Sequence, residues 1–251
     1  MGQFRTWAIV LKTLDYGESD RIITFYTADF GKIRGIAKGA KRSKRRFSNA
    51  LELFTLSRMM FFDKRESGLV RIEGCDIGNT FPGIREDVRK VAYGCYLVEL
   101  LDEMSAERQA NPELFTMVKT FLSLLNEAEV ETQILRIFEV RLLSLLGYRP
   151  ELIKCLRCNG TLQHCRHVNF SVKQGGLLCE RCSQGYSDLI PVSLGTARIL
   201  QAAAEMDLAK VRRLKFSNQA LWESEAILSK FIQHHIDKEL KSKKFIESLG
   251  M

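Results

Sequence analysis

The sequence predicts an α+β protein of several domains: a small β-barrel at the amino end, then a helical domain carrying a cysteine-rich insert. Three observations predict it. Five short runs rich in β-branched and aromatic residues fill the first 80 positions, and apolar positions then recur at three- and four-residue spacing. Two Cys-x-x-Cys pairs, separated by 20 residues, stand in a stretch that has neither period.

The strand runs cover residues 6–14, 21–28, 32–40, 51–62 and 69–77. Asp29-Phe30-Gly31, Gly17-Glu18-Ser19-Asp20 and residues 63–68 supply the turn residues between them. In the last run Val70 and Ile72 alternate with Arg71 and Glu73, as expected of a strand with one face on a core and the other in water. Five strands in residues 1–80 suit a closed barrel of the OB type, with an SH3-like barrel as the competing arrangement.

The helical domain spans 81–251. Val88, Val91, Cys95 and Val98 mark the apolar face of its first helix, and Glu99, Asp102 and Glu103 read as solubilising charge on the other face. Asn111-Pro112-Glu113 supplies a cap, a first-turn Pro and an early acid for a second helix, with Leu114, Met117, Phe121 and Leu124 facing inward. A third helix is expected over 131–146, stopped by Gly147 with Pro150 beyond. Periodicity is lost over the insert, 150–191, and returns after Ser193, with a long helix over 221–240.

Composition bounds the function. The chain has 251 residues, 45% apolar and 27% charged, and no apolar run near the roughly 20 residues of a membrane span, so no membrane partner is expected. No secretory signal is legible at the start, and seven Cys without one point to a reducing, cytoplasmic setting where thiols are free or metal-bound. No phosphate-binding loop, dinucleotide fingerprint or hydrolase elbow occurs, and the chain reads as non-enzymatic.

The positive charge is local. Lys32, Arg34, Lys38, Lys41, Arg42, Lys44, Arg45 and Arg46 lie between Phe30 and Leu51 without one acid, and these eight equal the whole net charge of +8. Cations gathered in one window create a potential that draws polyanions, so the segment is a candidate phosphate-binding loop. Phe47 follows directly and offers either a ring for stacking on a base or an inward anchor that pins the loop.

Cys155-Leu156-Arg157-Cys158 and Cys179-Glu180-Arg181-Cys182 have the spacing of a structural zinc knuckle. Each pair turns two thiolates to one side, and two pairs close a tetrahedral shell. His164, Cys165 and His167 between the pairs are alternative ligands.

In order, these pieces resemble the RecO family of recombination mediators. The matching phrases are Glu18-Ser19-Asp20, Lys38-Gly39-Ala40-Lys41-Arg42, Phe138 to Leu146 leading into Gly147-Tyr148-x-Pro150, Cys155-x-x-Cys158, and Gly175-Gly176-Leu177-Leu178-Cys179-x-x-Cys182. One departure is Asn159, which stands where the family pattern has Gly.

The resemblance implies an OB domain that binds single- and double-stranded DNA and anneals complementary strands. It implies work with RecR to load RecA onto strands coated by single-strand-binding protein, in a nucleoid-associated setting. It also implies a contact with the acidic, Phe-ended tail of that coating protein, for which Arg136 and Arg141, among Ile134, Ile137, Leu142 and Leu145, are the candidate cationic rim. The reading from another class is an OB protein with a zinc knuckle that binds structured RNA in ribosome or transcript processing.

Overall fold

The computed structural model describes residues 2–43, 46–63, 68–127, 129, 131–163, 165 and 167–250. They form two compact units, Met1–Val130 with Leu240–Met251, and Glu131–Glu239.

The first unit begins with β1 (Gly2–Tyr16), β2 (Asp20–Thr27), β3 (Gly31–Ala37), β4 (Leu56–Asp63) and β5 (Val70–Asn79), closed into a barrel in the order β1-β2-β3-β5-β4. This is the OB-type order, and it settles the alternative of an SH3-like barrel. β1 is long enough to pair with β4 from Gly2 to Ile9 and with β2 from Ala8 to Tyr16, and a bulge between Val10 and Lys12 lets it bend from one partner to the other. Closure comes from a short parallel contact of Gly35 with Val70 and Ile36 with Arg71. Gly35 is required there: a Cβ would lie 2.8 Å from an Ile72 side-chain carbon and 2.9 Å from one of Val70.

The barrel is filled by Val10, Ile23, Phe25, Ile33, Met59, Phe61 and Ile72, and also by Phe47, Ala50 and Leu51 from the segment between β3 and β4. The strand expected over 51–62 therefore starts only at Leu56. Residues 47–55 stay in turns, held by Ala50 N–H to Phe47 O and Thr55 N–H to Glu52 O, because their apolar side chains plug the barrel.

After the barrel come α1 (Val88–Met104), capped by Asp87, whose carboxylate accepts the Arg89 N–H, and α2 (Pro112–Glu127), where Asn111 accepts the Leu114 N–H. α1 buries Val98 of the expected face, half-buries Val91 and Cys95 and leaves Val88 exposed, and it also buries Tyr93, Tyr96, Leu97, Leu100 and Leu101, so its covered face is wider than the expected one.

The second unit holds α3 (Gln133–Leu145), a sheet of β6 (Val168–Ser171), β7 (Gly176–Cys179) and β8 (Leu189–Val192) in the order β7-β6-β8, then α4 (Leu194–Glu205) and α5 (Asn218–His235). α4 and α5 both pack on α3. The insert has an apolar interior in which Phe170, Leu177 and Leu178 are buried on its sheet. The helix expected over 221–240 breaks at His235, and the chain rejoins the first unit as α6 (Lys241–Ser248), packed on α1. Among the described residues no helix is long and apolar enough to cross a membrane.

Candidate nucleic-acid interface and metal centre

The basic loop leaves β3 at Ala37 and is anchored at its start. Asp20 accepts the Gly39 N–H at 2.8 Å and the Ser19 hydroxyl at 3.0 Å, while the Lys41 N–H donates to Ser19 O. Gly39 has φ +67, a conformation glycine adopts without strain. The Gly39 N–H, the largest influence, and then the Ser19 hydroxyl hold the Asp20 carboxyl below the usual carboxylate range.

From this anchor Lys38, Arg42 and Arg46 extend into solvent, and Arg34 stands on the outer face of β3. Arg46 donates to Lys38 O and Ser43 Oγ, which bends the loop back on itself. Two cations are partly engaged at the surface: Lys41 pairs with Asp15 at 3.1 Å, and Arg42 lies 3.8 Å from Glu18. The Arg42 pair is open to solvent, so it screens the loop weakly and can be exchanged for phosphate at little cost, whereas the Lys41 ammonium, on a side chain 28% exposed, also donates to Gly17 O at 3.2 Å.

Two expected members are placed elsewhere. Lys32 is drawn to α1, where its ammonium lies 3.4 Å from the Asp102 carboxylate and donates to Asp102 O. Phe47 is 1% exposed inside the barrel, with the Arg46 guanidinium 5.1 Å from its ring centroid. A ring so buried is an anchor for the loop and has no face left for a base. Lys44 and Arg45 lie outside the described residues. What sequence reasoning missed on this unit is the work of two carboxylates read as solubilising: Asp102 holds Lys32, and Glu99 caps α6. Their partners are 70 and 143 residues away in sequence, beyond any periodic signal.

In the second unit Cys155, Cys158, Cys179 and Cys182 gather with all four Sγ atoms within 4.8 Å of one another. A tetrahedral zinc–thiolate shell has edges of about 3.8 Å, so the cluster needs only a slight contraction to fit zinc. The knuckle geometry supports it: Cys155 N–H donates to Gly160 O, Asn159 N–H to Cys155 O, and Cys179 N–H to the Cys155 sulfur at 3.4 Å. Asn159 has φ +57, which explains its place where the family pattern has Gly, because Asn is the side chain that best tolerates that region. Burial raises the Cys155 thiol, but backbone N–H groups of Cys158, Cys179 and Arg157 outweigh it and hold it down to about 6. The hydrogen bond with Cys179, and then burial, push Cys182 up to about 12. Among the described residues, Cys165 and His167 are outside the cluster, and His164 is not described.

Arg136 and Arg141 do not form a rim. They are 4% and 9% exposed on a helix covered by α4 and α5; Arg136 pairs with Glu139 at 3.0 Å and Arg141 donates to Met206 O. Burial also holds the Arg141 pKa down.

The family models for the N-terminal and C-terminal domains of recombination protein O match residues 1–81 and 85–244 of this chain. The chain belongs to the RecO family. Among curated relatives, the DNA repair protein RecO of Syntrophus aciditrophicus is 40% identical over 247 residues, covering 98% of this chain and 95% of that one. The RecO of Anaeromyxobacter dehalogenans strain 2CP-C is 32% identical over 250 residues, covering 100% and 98%. That of Desulforamulus reducens is 34% identical over 242 residues, covering 96% and 93%. RecO membership supports a role in recombinational DNA repair, and a four-cysteine cluster compatible with a structural metal accompanies it.

Proposed function

We propose that this RecO chain binds single- and double-stranded DNA through the basic loop of its barrel and anneals complementary strands. With RecR it helps to load RecA onto strands coated by single-strand-binding protein, in the cytoplasm and without catalysing a covalent step. Residues 1–80 serve as the DNA-binding domain, and residues 81–251 as the helical domain, with zinc held by Cys155, Cys158, Cys179 and Cys182 in the 150–191 insert. The coating protein's tail is a further partner of the helical domain; Arg136 would meet it only by leaving Glu139, and Arg141 only by leaving the Met206 carbonyl.

The observation that carries the reading is the exposure of Lys38, Arg42 and Arg46 on a loop whose base is fixed by Asp20 and whose interior is fixed by Phe47. Such a loop presents charge without collapsing onto the barrel. Binding releases counterions, so the logarithm of affinity should fall with that of salt at a slope of about −0.7 per phosphate neutralised on single strands. If about five cations engage, a fourfold rise in salt weakens binding roughly 100-fold.

The test is annealing of complementary oligonucleotides across a salt series, by wild type and by a variant with Lys38, Lys41, Arg42, Lys44, Arg45 and Arg46 changed to Ser. The variant should lose annealing and most of the salt slope. Equal annealing by both proteins, or preference for folded RNA over DNA of the same length, would overturn the proposal.

A further inference from the structure

Trp7, Arg5 and Arg58 share an outer face of the barrel. In the β1–β4 ladder Trp7 is directly opposite Arg58, and Arg5, two residues away on β1, points to the same side. The indole is 43% exposed, and both arginines are exposed. Its seat is on β5: a Cβ added to Gly78 would lie 2.6 Å from the indole Cζ3 and 3.0 Å from Cη2, so the ring rests on backbone that only glycine leaves uncovered. One part of the ring is thus held by the barrel while another meets water.

The surroundings favour an anionic partner. Among the described residues, Arg5 donates only to the weak acceptor Met60 Sδ, at 3.7 Å, and Arg58 forms no ion pair although Asp76 of β5 is its register partner. An aromatic plate with a cation on its own strand and another on the facing strand is the arrangement that takes a base on the ring and phosphates beside it.

We propose that this face is a second contact for single-stranded DNA, separate from the basic loop, in which a nucleobase stacks on Trp7 and Arg5 and Arg58 take the adjoining phosphates. The proposal rests on the DNA-binding reading and deepens it, since strand handling gains from two grips on one barrel.

The chain has two tryptophans, so Trp222→Phe in the full-length protein leaves Trp7 as the sole indole reporter. This protein is titrated with single-stranded oligothymidylate while binding is followed independently by anisotropy of the labelled oligonucleotide. Trp7 emission should be quenched in step with the anisotropy rise and recover with salt. Trp7→Ala, and the double change Arg5→Ser with Arg58→Ser, should each weaken binding about fivefold or more. If Trp7→Ala fails to fold by circular dichroism, the arginine variant decides.

Constant Trp7 emission while the anisotropy rises, with the arginine variant binding as wild type, would overturn the second contact and leave the basic loop's role intact. Quenching by an added partner protein but not by DNA would overturn it in favour of a protein interface. Failure of the wild type to raise the anisotropy at all would overturn the DNA-binding reading and this inference with it.

Discussion

Asp20 accepts the backbone N–H of Gly39 at 2.8 Å, so the turn before β2 and the turn that opens the basic loop are one structural unit. The phrases Glu18-Ser19-Asp20 and Lys38-Gly39-Ala40-Lys41-Arg42, about 20 residues apart in sequence, are thereby the two sides of one joint. The loop's cations leave the barrel from a fixed origin, and only the distal side chains have to be ordered when a strand binds.

Replacing Asp20 by Ala removes that origin. The Gly39 amide should exchange faster with solvent, and DNA affinity should fall roughly two- to tenfold, the cost of ordering one or two more side chains on binding. The same bond gives a pH signature. Because the folded-state pKa of Asp20 is depressed, its contribution is present above the unfolded value of about 3.9 and is lost as pH falls through the lower folded value. Amide exchange at Gly39 across that acid range, in wild type and in Asp20→Ala, checks both statements: wild type should lose protection on acidification, and the variant should have little to lose.

Phe47 separates anchoring from recognition. Its ring is in the barrel core, so Phe47→Ala should destabilise the protein by about 3–5 kcal/mol by opening a cavity. Phe47→Leu keeps most of the volume and should cost about 1.5 kcal/mol or less. If the ring is an anchor, the Leu variant keeps wild-type affinity for single strands at a temperature where it is folded. Thermal melts paired with DNA titration give the answer, and a Leu variant that is folded yet binds poorly would restore the stacking role.

The cysteine cluster should behave as a folding element. Purified protein is expected to contain one zinc per chain, and a strong chelator should unfold the insert around β6, β7 and β8 while β1 to β5 remain protected from hydrogen exchange. Cys158→Ser or Cys182→Ser should abolish stoichiometric zinc, whereas Cys165→Ser should leave it unchanged, because Cys165 lies outside the four-sulfur cluster. Metal analysis of the three variants checks the ligand set.

How far the sequence carried depended on whether the constraint was local. Two Cys-x-x-Cys turns declare themselves because each pair is built within four residues, and the structure gathers all four sulfurs. The five strands were legible from alternation and turn residues, and the barrel order follows from their pairing. The face of α1 was legible in part: Val98 is buried as its spacing predicts, but Tyr93-Tyr96-Leu97-Leu100 also has helical spacing, and only the packing covers it as well. The plug formed by Phe47, Ala50 and Leu51 was read partly as strand, since an apolar segment that fills a barrel from a loop has no period of its own. Arg136 and Arg141 of α3 read as a cationic rim because nothing local shows that α4 and α5, more than 50 residues later, pack on that helix. Trp7 passed as one more apolar residue of a strand, because its exposure depends on Gly78 across the sheet.

Glu99 offers the sharpest test of long-range design in the first unit. Its carboxylate accepts the Lys241 N–H at 3.1 Å, the Ser242 N–H at 2.8 Å and the Ser242 hydroxyl, so a side chain of α1 acts as the N-cap of α6, which has no cap of its own. The first amides of a helix lack intrahelical acceptors, and a carboxylate there also meets the positive end of the helix dipole. Glu99→Ala should therefore cost about 1–2 kcal/mol and act chiefly on α6. Helix α6 should lose hydrogen-exchange protection, and protease should cut near Leu240, while the barrel stays protected. Glu99→Gln keeps one acceptor oxygen but presents its NH₂ group to the second amide, so it should fall between the two. An Ala variant with unchanged protection over Lys241–Ser248 would show that the apolar contacts of α6 with α1 hold the helix without the cap.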